Sequence, residues 1–196
     1  MTDSLPRWRS RLDGAIEANT RDRASRDAQV ATTAPDGSPA VRTAIVRGFL
    51  DAARPYFVTD GRSRKIAHIR ADARVALCWY LRHTLEQFRL SGHAIVVGPD
   101  DDDAMLADAR HDAWVTLNER TRRQFLWPEP AARRADDETF AEADDTALPN
   151  DPPDNFVLVV VEVVLVDHLR LEPWPHRRTI HRLDDRGGWT EEETNP

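Results

Sequence analysis

The chain has 196 residues, enough to bury a sizeable core as one domain and few for two. Hydrophobic residues make up 40% and charged residues 31%; the longest apolar run, residues 157–166, is broken by Glu162, so no stretch has the ~20 apolar residues of a membrane helix. The formal net charge is -7, with acid crowded into residues 100–103, 136–145 and 191–193 and arginine in the centre, a pattern that argues against a general nucleic-acid surface.

Residues 1–11 hold three arginines without an apolar core or a small-residue cleavage site behind them, so a secretory signal is not expected and a cytoplasmic location is. Leu5, Trp8, Leu12 and Ile16 recur at three- and four-residue spacing and predict an amphipathic helix. Residues 28–34 and 40–48 are β-prone runs on either side of Pro35-Asp36-Gly37-Ser38, a turn sequence, and predict a hairpin. A third strand is expected over residues 56–59. Asp60-Gly61 ends it, and Ser63 is placed to cap a short helix through Lys65, Ile66 and Ile69. Residues 74–81 and 85–97 predict a long hairpin. Its Cys78, the single cysteine, lies between Leu77 and Trp79 and reads as a small buried hydrophobe.

After Gly98-Pro99, residues 101–127 have helical character until Pro128 and Pro130 stop it. Residues 131–155 show little apolar periodicity and are expected to form a mobile loop or a partner-contacting excursion within a single domain spanning 1–196. Residues 155–171 are the most strand-like in the chain, and residues 177–183 with a short piece at Trp189 are expected as two edge strands. Hairpin-linked strands that outnumber helices, without regular crossovers, predict a mainly β, antiparallel barrel with flanking helices.

Signatures of classical dinucleotide domains, P-loop enzymes, α/β-hydrolases and zincins are absent from the sequence. His176 and His181, five apart around an expected strand, would face opposite ways, and no metal site is expected. The positive signal is a group of cations. If the second and third strands are neighbours, Arg42, Thr59, Arg64 and Lys65 can converge on one anion at the helix start, for which a phosphate monoester is the natural occupant. Lys65 is the only lysine in the chain. From charge alone, solvated surface cations beside a capping serine fit equally well.

Four spaced pieces carry a more specific message: Arg42-Thr43-Ala44-Ile45-Val46-Arg47, then Val58-Thr59, then Ser63-Arg64-Lys65, then Trp79 and Leu81 followed by Leu85-Glu86-Gln87-Phe88-Arg89-Leu90-Ser91-Gly92. In this order and spacing they resemble the pyridoxamine 5'-phosphate oxidase family, and His176-Arg177-Arg178 with Trp189 and Asn195-Pro196 resembles that family's C-terminal pattern. The resemblance implies an FMN-binding split β-barrel acting as a homodimer. By it, Arg42, Thr43, Val58, Thr59, Ser63, Arg64, Lys65 and Gln87 hold FMN, and Arg178 is a further flavin contact in a site shared between subunits. Arg47 and His176 are the substrate contacts implied.

The pattern departs from the strict oxidase at the substrate. Arg47 stands for a lysine, Trp174 stands two residues before His176 where an arginine is expected, and the segment after Gly98 lacks counterparts of the usual substrate contacts. The segment holding Trp114, Arg122, Phe125, Trp127 and Pro128 resembles instead a flavin-binding branch related to the oxidase, and for Trp114 and Phe125 an amphipathic helix burying its aromatics fits equally well. The resemblance implies an FMN-dependent oxidoreductase of a small molecule. A flavin- or deazaflavin-dependent reductase of another small molecule and a non-catalytic flavin- or haem-binding module are the alternatives.

Overall fold

The structure is a computed structural model that describes residues 5–196; the expectation about a secretory signal rests partly on residues 1–4, which lie outside the described residues. Helix α1 (Arg7–Ala18) turns Trp8, Leu12 and Ala15 inward at i, i+4 and i+7. Strands β1 (Asp27–Thr33) and β2 (Pro39–Phe49) form the expected hairpin, with Thr33 opposite Pro39 and Gly37 taking φ 83° in the turn. Strand β3 (Pro55–Asp60) leads to α2 (Arg64–Ala71), and β4 (Arg74–Leu81) pairs with β5 (Glu86–Val97) along its whole length. Helices α3 (Ala104–Thr116) and α4 (Glu119–Arg123) follow, with a 3-10 turn at Gln124–Leu126. The stretch 131–155, expected as a loop, instead carries α5 (Asp137–Asp145), capped by the Asp136 side chain on the Thr139 amide. No apolar stripe announces it, because α5 buries no residue.

Strand β6 (Phe156–Arg170), β7 (Arg177–Leu183) and β8 (Trp189–Thr194) complete an antiparallel sheet in the order β3-β2-β1-β4-β5-β6-β7-β8. Residues 56–60 of β3 also pair with residues 156–160 of β6, which closes the first six strands into a barrel. Residues 165–170 of the same β6 edge pair with β7, so β7 lies between β6 and β8 and only β8 is the edge strand expected for both. Among the described residues the fold is mainly β: a six-stranded antiparallel barrel with two added strands and five helices.

The continuous apolar run of β6 has a physical reason. Val157, Val159 and Val161 point into the barrel with Phe57, Leu77, Trp79, Phe88 and Leu90, while Phe156, Leu158 and Val160 face a second core with Leu106, Trp114 and Phe125. Both faces are covered, so alternation disappears. Farther along, the register with β5 shifts between Ser91 and Gly92. A Cβ on Gly92 would lie 2.0 Å from the Glu162 carbonyl oxygen, so only glycine fits at this bulge. Beyond it the inward set changes, and His168 stacks on Phe88 inside the barrel (centroids 4.0 Å apart), while Asp167 takes a place on the outer face. Among the described residues, no helix is long and apolar enough to cross a membrane.

Candidate functional site

The end of β3 and the start of α2 bring two hydroxyl side chains and one cation together. Ser63 occupies the N-cap position of α2, as its sequence context predicts, but its hydroxyl caps no amide. It accepts instead from Lys65 Nζ at 3.1 Å, and the Thr59 hydroxyl accepts from the same ammonium at 2.8 Å. Burial, with help from the nearby Arg42 charge and against the pull of Asp60, holds the Lys65 pKa below its ordinary value. Asp60 cannot serve Lys65 as a close partner: its carboxylate is gripped by the Arg62 guanidinium (2.6 Å at the shortest) and by Asn155 Nδ2 (2.9 Å). Among the described residues, Arg42, Arg47, Arg64 and Lys65 form no ion pair.

Arg42, on β2, stands behind this cluster. Its Nη1 donates to the Val30 carbonyl (3.0 Å), the Thr32 hydroxyl (2.8 Å) and the Ala40 carbonyl (3.3 Å), and burial lowers its pKa. The Thr32 hydroxyl lies 3.1 Å from His68 Nδ1 on α2, so Arg42 braces the helix that carries Lys65.

In front of the cluster opens a cavity of about 590 Å³. Its floor is Thr43, Ala44, Ile45 and Arg47 of β2 with Phe57, Val58 and Thr59 of β3, and Ser63 and Lys65 close one end. Its roof is the segment after α4: Phe125, Trp127, Pro128 and Phe140. Roof and floor are tied together at two points. Asn155 Nδ2 bridges Asp60 and the Phe125 carbonyl (2.8 Å), and Arg62 Nη2 donates to the Trp127 carbonyl at 3.0 Å. Trp127 is fixed in turn by its indole N–H to Asp144 (2.9 Å) and by an edge contact with Phe140. A half-apolar space of this size with a polar, cationic end suits a ligand that has a flat apolar body and an anionic tail.

Six of the residues singled out in the sequence line this cavity: Thr43, Arg47, Val58, Thr59, Ser63 and Lys65. The others do not. Arg64 is exposed at the first position of α2. Gln87 lies on β5, where its Oε1 takes the Cys78 thiol at 3.6 Å. Burial raises the pKa of that thiol, in keeping with an unreactive cysteine. Arg178 forms a two-point ion pair with Asp167 (3.0 and 2.6 Å), which Arg89 also contacts. Burial alone would raise the Asp167 pKa, but the two guanidinium groups outweigh it and hold the carboxyl below the usual range. His176 packs edge-on against Trp174, whose side chain is 82% exposed. Asn155, Arg62 and Phe140 were not legible as site residues, whereas Phe125, Trp127 and Pro128 lie in the segment whose resemblance to an oxidase-related flavin-binding branch was the signal for this part of the chain.

A barrel with a split edge on β6 and a cation-ended cavity at the β3–α2 junction defines the chain as a split-barrel protein. The family model described as "Pyridoxamine 5'-phosphate oxidase, FMN-binding domain" matches residues 5–98. "Pyridoxine/pyridoxamine 5'-phosphate oxidase 2" of Arabidopsis thaliana is 31% identical over 193 residues, covering 96% of each chain. A crystal structure of a pyridoxamine 5'-phosphate oxidase-related, FMN binding protein from Nostoc punctiforme superposes with TM-score 0.92 at 35% identity, covering 98% of this chain and 100% of the other. PhzG from Burkholderia lata shares the fold with TM-score 0.77 at 20% identity, over 97% of this chain and 89% of that one. The chain belongs to the pyridoxamine 5'-phosphate oxidase FMN-binding family.

Proposed function

We propose that this chain is an FMN-dependent oxidoreductase whose flavin occupies the cavity under Trp127, with its phosphate at Lys65. The observation that carries this is the Lys65 ammonium, half-buried against the Thr59 and Ser63 hydroxyls without a carboxylate partner. A desolvated cation flanked by two hydroxyls is a poor arrangement for an empty protein and a good one for a phosphate dianion. The donor set therefore fits the group that the family model implies. Bound FMN supplies hydride-accepting chemistry. The chain's own residues position it: Lys65, Thr59 and Ser63 hold the phosphate, Val58 and the β2 backbone at Thr43 form the floor, and Phe125, Trp127 and Phe140 exclude water from above.

The remaining expected contacts, Gln87 and Arg178, support a homodimer. Across the sheet, Thr43, Gln29, Cys78, Arg89 and Asp167 stand opposite one another on β2, β1, β4, β5 and β6, and Tyr80, Gln87, Leu169 and Arg178 form the next row. Val41, Ile45 and Tyr80 on this outer face are 69%, 44% and 40% exposed. A two-fold packing of this face on itself brings Arg178 of one subunit towards Thr43 of the other, and covers the apolar side chains. Arg64 joins the phosphate by a change of rotamer. A small molecule is the hydride donor, and the Arabidopsis relative's name makes pyridoxamine 5'-phosphate the first one to assay, with Arg47 and His176 as its contacts.

The test is an FMN titration of apo-protein, followed by flavin fluorescence. Wild type is expected to bind one FMN per chain, and Lys65→Ala to bind roughly ten- to a hundredfold more weakly, the loss of a charge-assisted contact to phosphate. Equal affinity in the two proteins would remove the phosphate from Lys65 and with it this reading of the cavity.

A further inference from the structure

Trp127 is a wall shared by two spaces. One is the main cavity; the other is an outer cleft of about 550 Å³, lined by Glu119, Arg120, Arg123, Gln124, Trp127 and Asp144. Four of those six side chains are charged, whereas Phe57, Val58, Phe125 and Phe140 give the main cavity a more apolar lining. The indole is thus the partition between a polar space open to water and a drier one.

Backbone and side chain of Trp127 are held by different parts of the molecule. Its carbonyl accepts from Arg62 Nη2 at 3.0 Å, and two residues earlier the Phe125 carbonyl accepts from Asn155 Nδ2 at 2.8 Å, so the main chain is moored to the barrel end. The indole is moored to α5 instead. Its N–H donates to Asp144 Oδ1 at 2.9 Å, and its ring meets Phe140 edge-on with centroids 5.7 Å apart. Helix α5 buries no residue and is fixed from outside: Arg123 donates to the Asp144 and Thr146 carbonyls, while Arg134 pairs with Asp137 at 2.6 Å and lies over the Phe140 ring. A helix without a core face adds little to the stability of a fold, and the contacts of this one converge on a single indole.

We propose that Asp144 is a positioning residue for the reaction in the main cavity: by holding the Trp127 indole it keeps the flavin closed off from the outer cleft, which is the way in for the small molecule that reacts there. This rests on the reading of the main cavity as the flavin site. The floor of that cavity is sheet, and Phe125 is packed into the second core, so neither gives way without disturbing the fold. Trp127 differs from both. Once its N–H leaves Asp144, rotation about its side-chain bonds joins cleft and cavity while the Arg62 and Asn155 ties keep the backbone in place.

The experiment measures how open bound FMN is to a small solute. Iodide quenching of flavin fluorescence is recorded for FMN-saturated wild type, Asp144→Ala, Asp144→Asn, Trp127→Ala and the double variant Trp127→Ala with Asp144→Ala. Asp144→Ala is expected to raise the quenching constant roughly threefold or more, through loss of a hydrogen bond to a charged group. In Asp144→Asn the amide oxygen still accepts from the indole, so its constant should stay close to that of wild type; an effect of charge alone would move both variants alike. The double variant should match Trp127→Ala, because Asp144 acts through the indole. An unchanged constant in Asp144→Ala, an equal shift in Asp144→Asn, or a double variant more open than Trp127→Ala would overturn the proposal. Failure of wild type to take up FMN would instead overturn the flavin reading. The latch is then read in apo-protein from water exchange of the Trp127 indole N–H by NMR, with the resonance assigned by Trp127→Phe. Exchange about tenfold faster in Asp144→Ala but not in Asp144→Asn upholds the latch. Equal rates in wild type and Asp144→Ala, or the same acceleration in Asp144→Asn, refute it.

Discussion

Lys65 shows how a binding residue taxes the fold that carries it. Its folded pKa lies below the ordinary lysine value, chiefly through burial, so the folded chain holds that proton less well than the unfolded chain does. The sign follows: stability associated with Lys65 is present above the unfolded pKa and is lost as pH falls through the folded one, so at neutral pH the charge destabilises the apo-protein. Lys65→Met is expected to raise the apo melting temperature by about 2–4 °C, the shift that 1 kcal/mol produces in a chain of this size, while weakening FMN binding. His181 is a second buried base outside the site. Burial first, then the Arg11 charge, pushes its pKa to about 4, with Glu191 at 3.6 Å opposing. Here stability is complete above the ordinary histidine value of 6.5 and declines as pH drops towards 4, because the unfolded chain accepts a proton that the folded one refuses. A pH series of thermal melts should show this decline in wild type and a shallower one in His181→Gln; parallel curves would remove His181 as the cause. Thr59, Ser63 and Lys65 were legible in the sequence because they are close together. Arg42 was legible as a cation, but its commitment to Val30, Thr32 and Ala40 depends on a strand pairing that no local pattern displays.

At the level of elements, strands were read well wherever local chemistry decides them. The Pro35–Ser38 turn fixes the β1–β2 register, and β6 announces itself by its valines. The chain between α3 and β6 was read poorly, since α5 buries nothing and the roof is held by polar ties from distant residues, Asn155 and Arg62. The β5–β6 bulge was equally invisible. Gly92 is the residue on which it depends: a methyl group there meets backbone, which cannot move aside as a side chain would. Gly92→Ala is expected to cost about 3 kcal/mol or more, read as a lower denaturation midpoint, whereas Gly14→Ala, with open space around its Cβ position in α1, should be neutral or slightly stabilising.

For the whole molecule, the closed antiparallel barrel followed from counting hairpins, but its closure by β3 on β6 did not, because those strands are separated by the entire middle of the chain. The homodimer is a proposal that came from resemblance, and the exposed row of Val41 and Ile45 is the surface proposed for it. Ile45→Asp places a charge in that surface and also at the cavity floor. It is expected to turn a dimer into a monomer on analytical ultracentrifugation and to weaken FMN binding together with dimerisation; Val41→Asp, away from the cavity lining, should do the first and reduce FMN binding only as far as the dimer is lost. Persistence of a dimer in both variants would put the subunit contact elsewhere.

Strand β6 gives one edge to two tenants in succession, β3 for its first residues and β7 for its last. The barrel is therefore complete without the final hairpin, which is fastened alongside it by six register pairs and by Trp189 lying edge-on to Trp8. The chain's end thus lies against a wall already closed elsewhere, and what fastens it there is its own set of contacts: the β6 pairing, the Arg178–Asp167 ion pair and the Trp8–Trp189 edge.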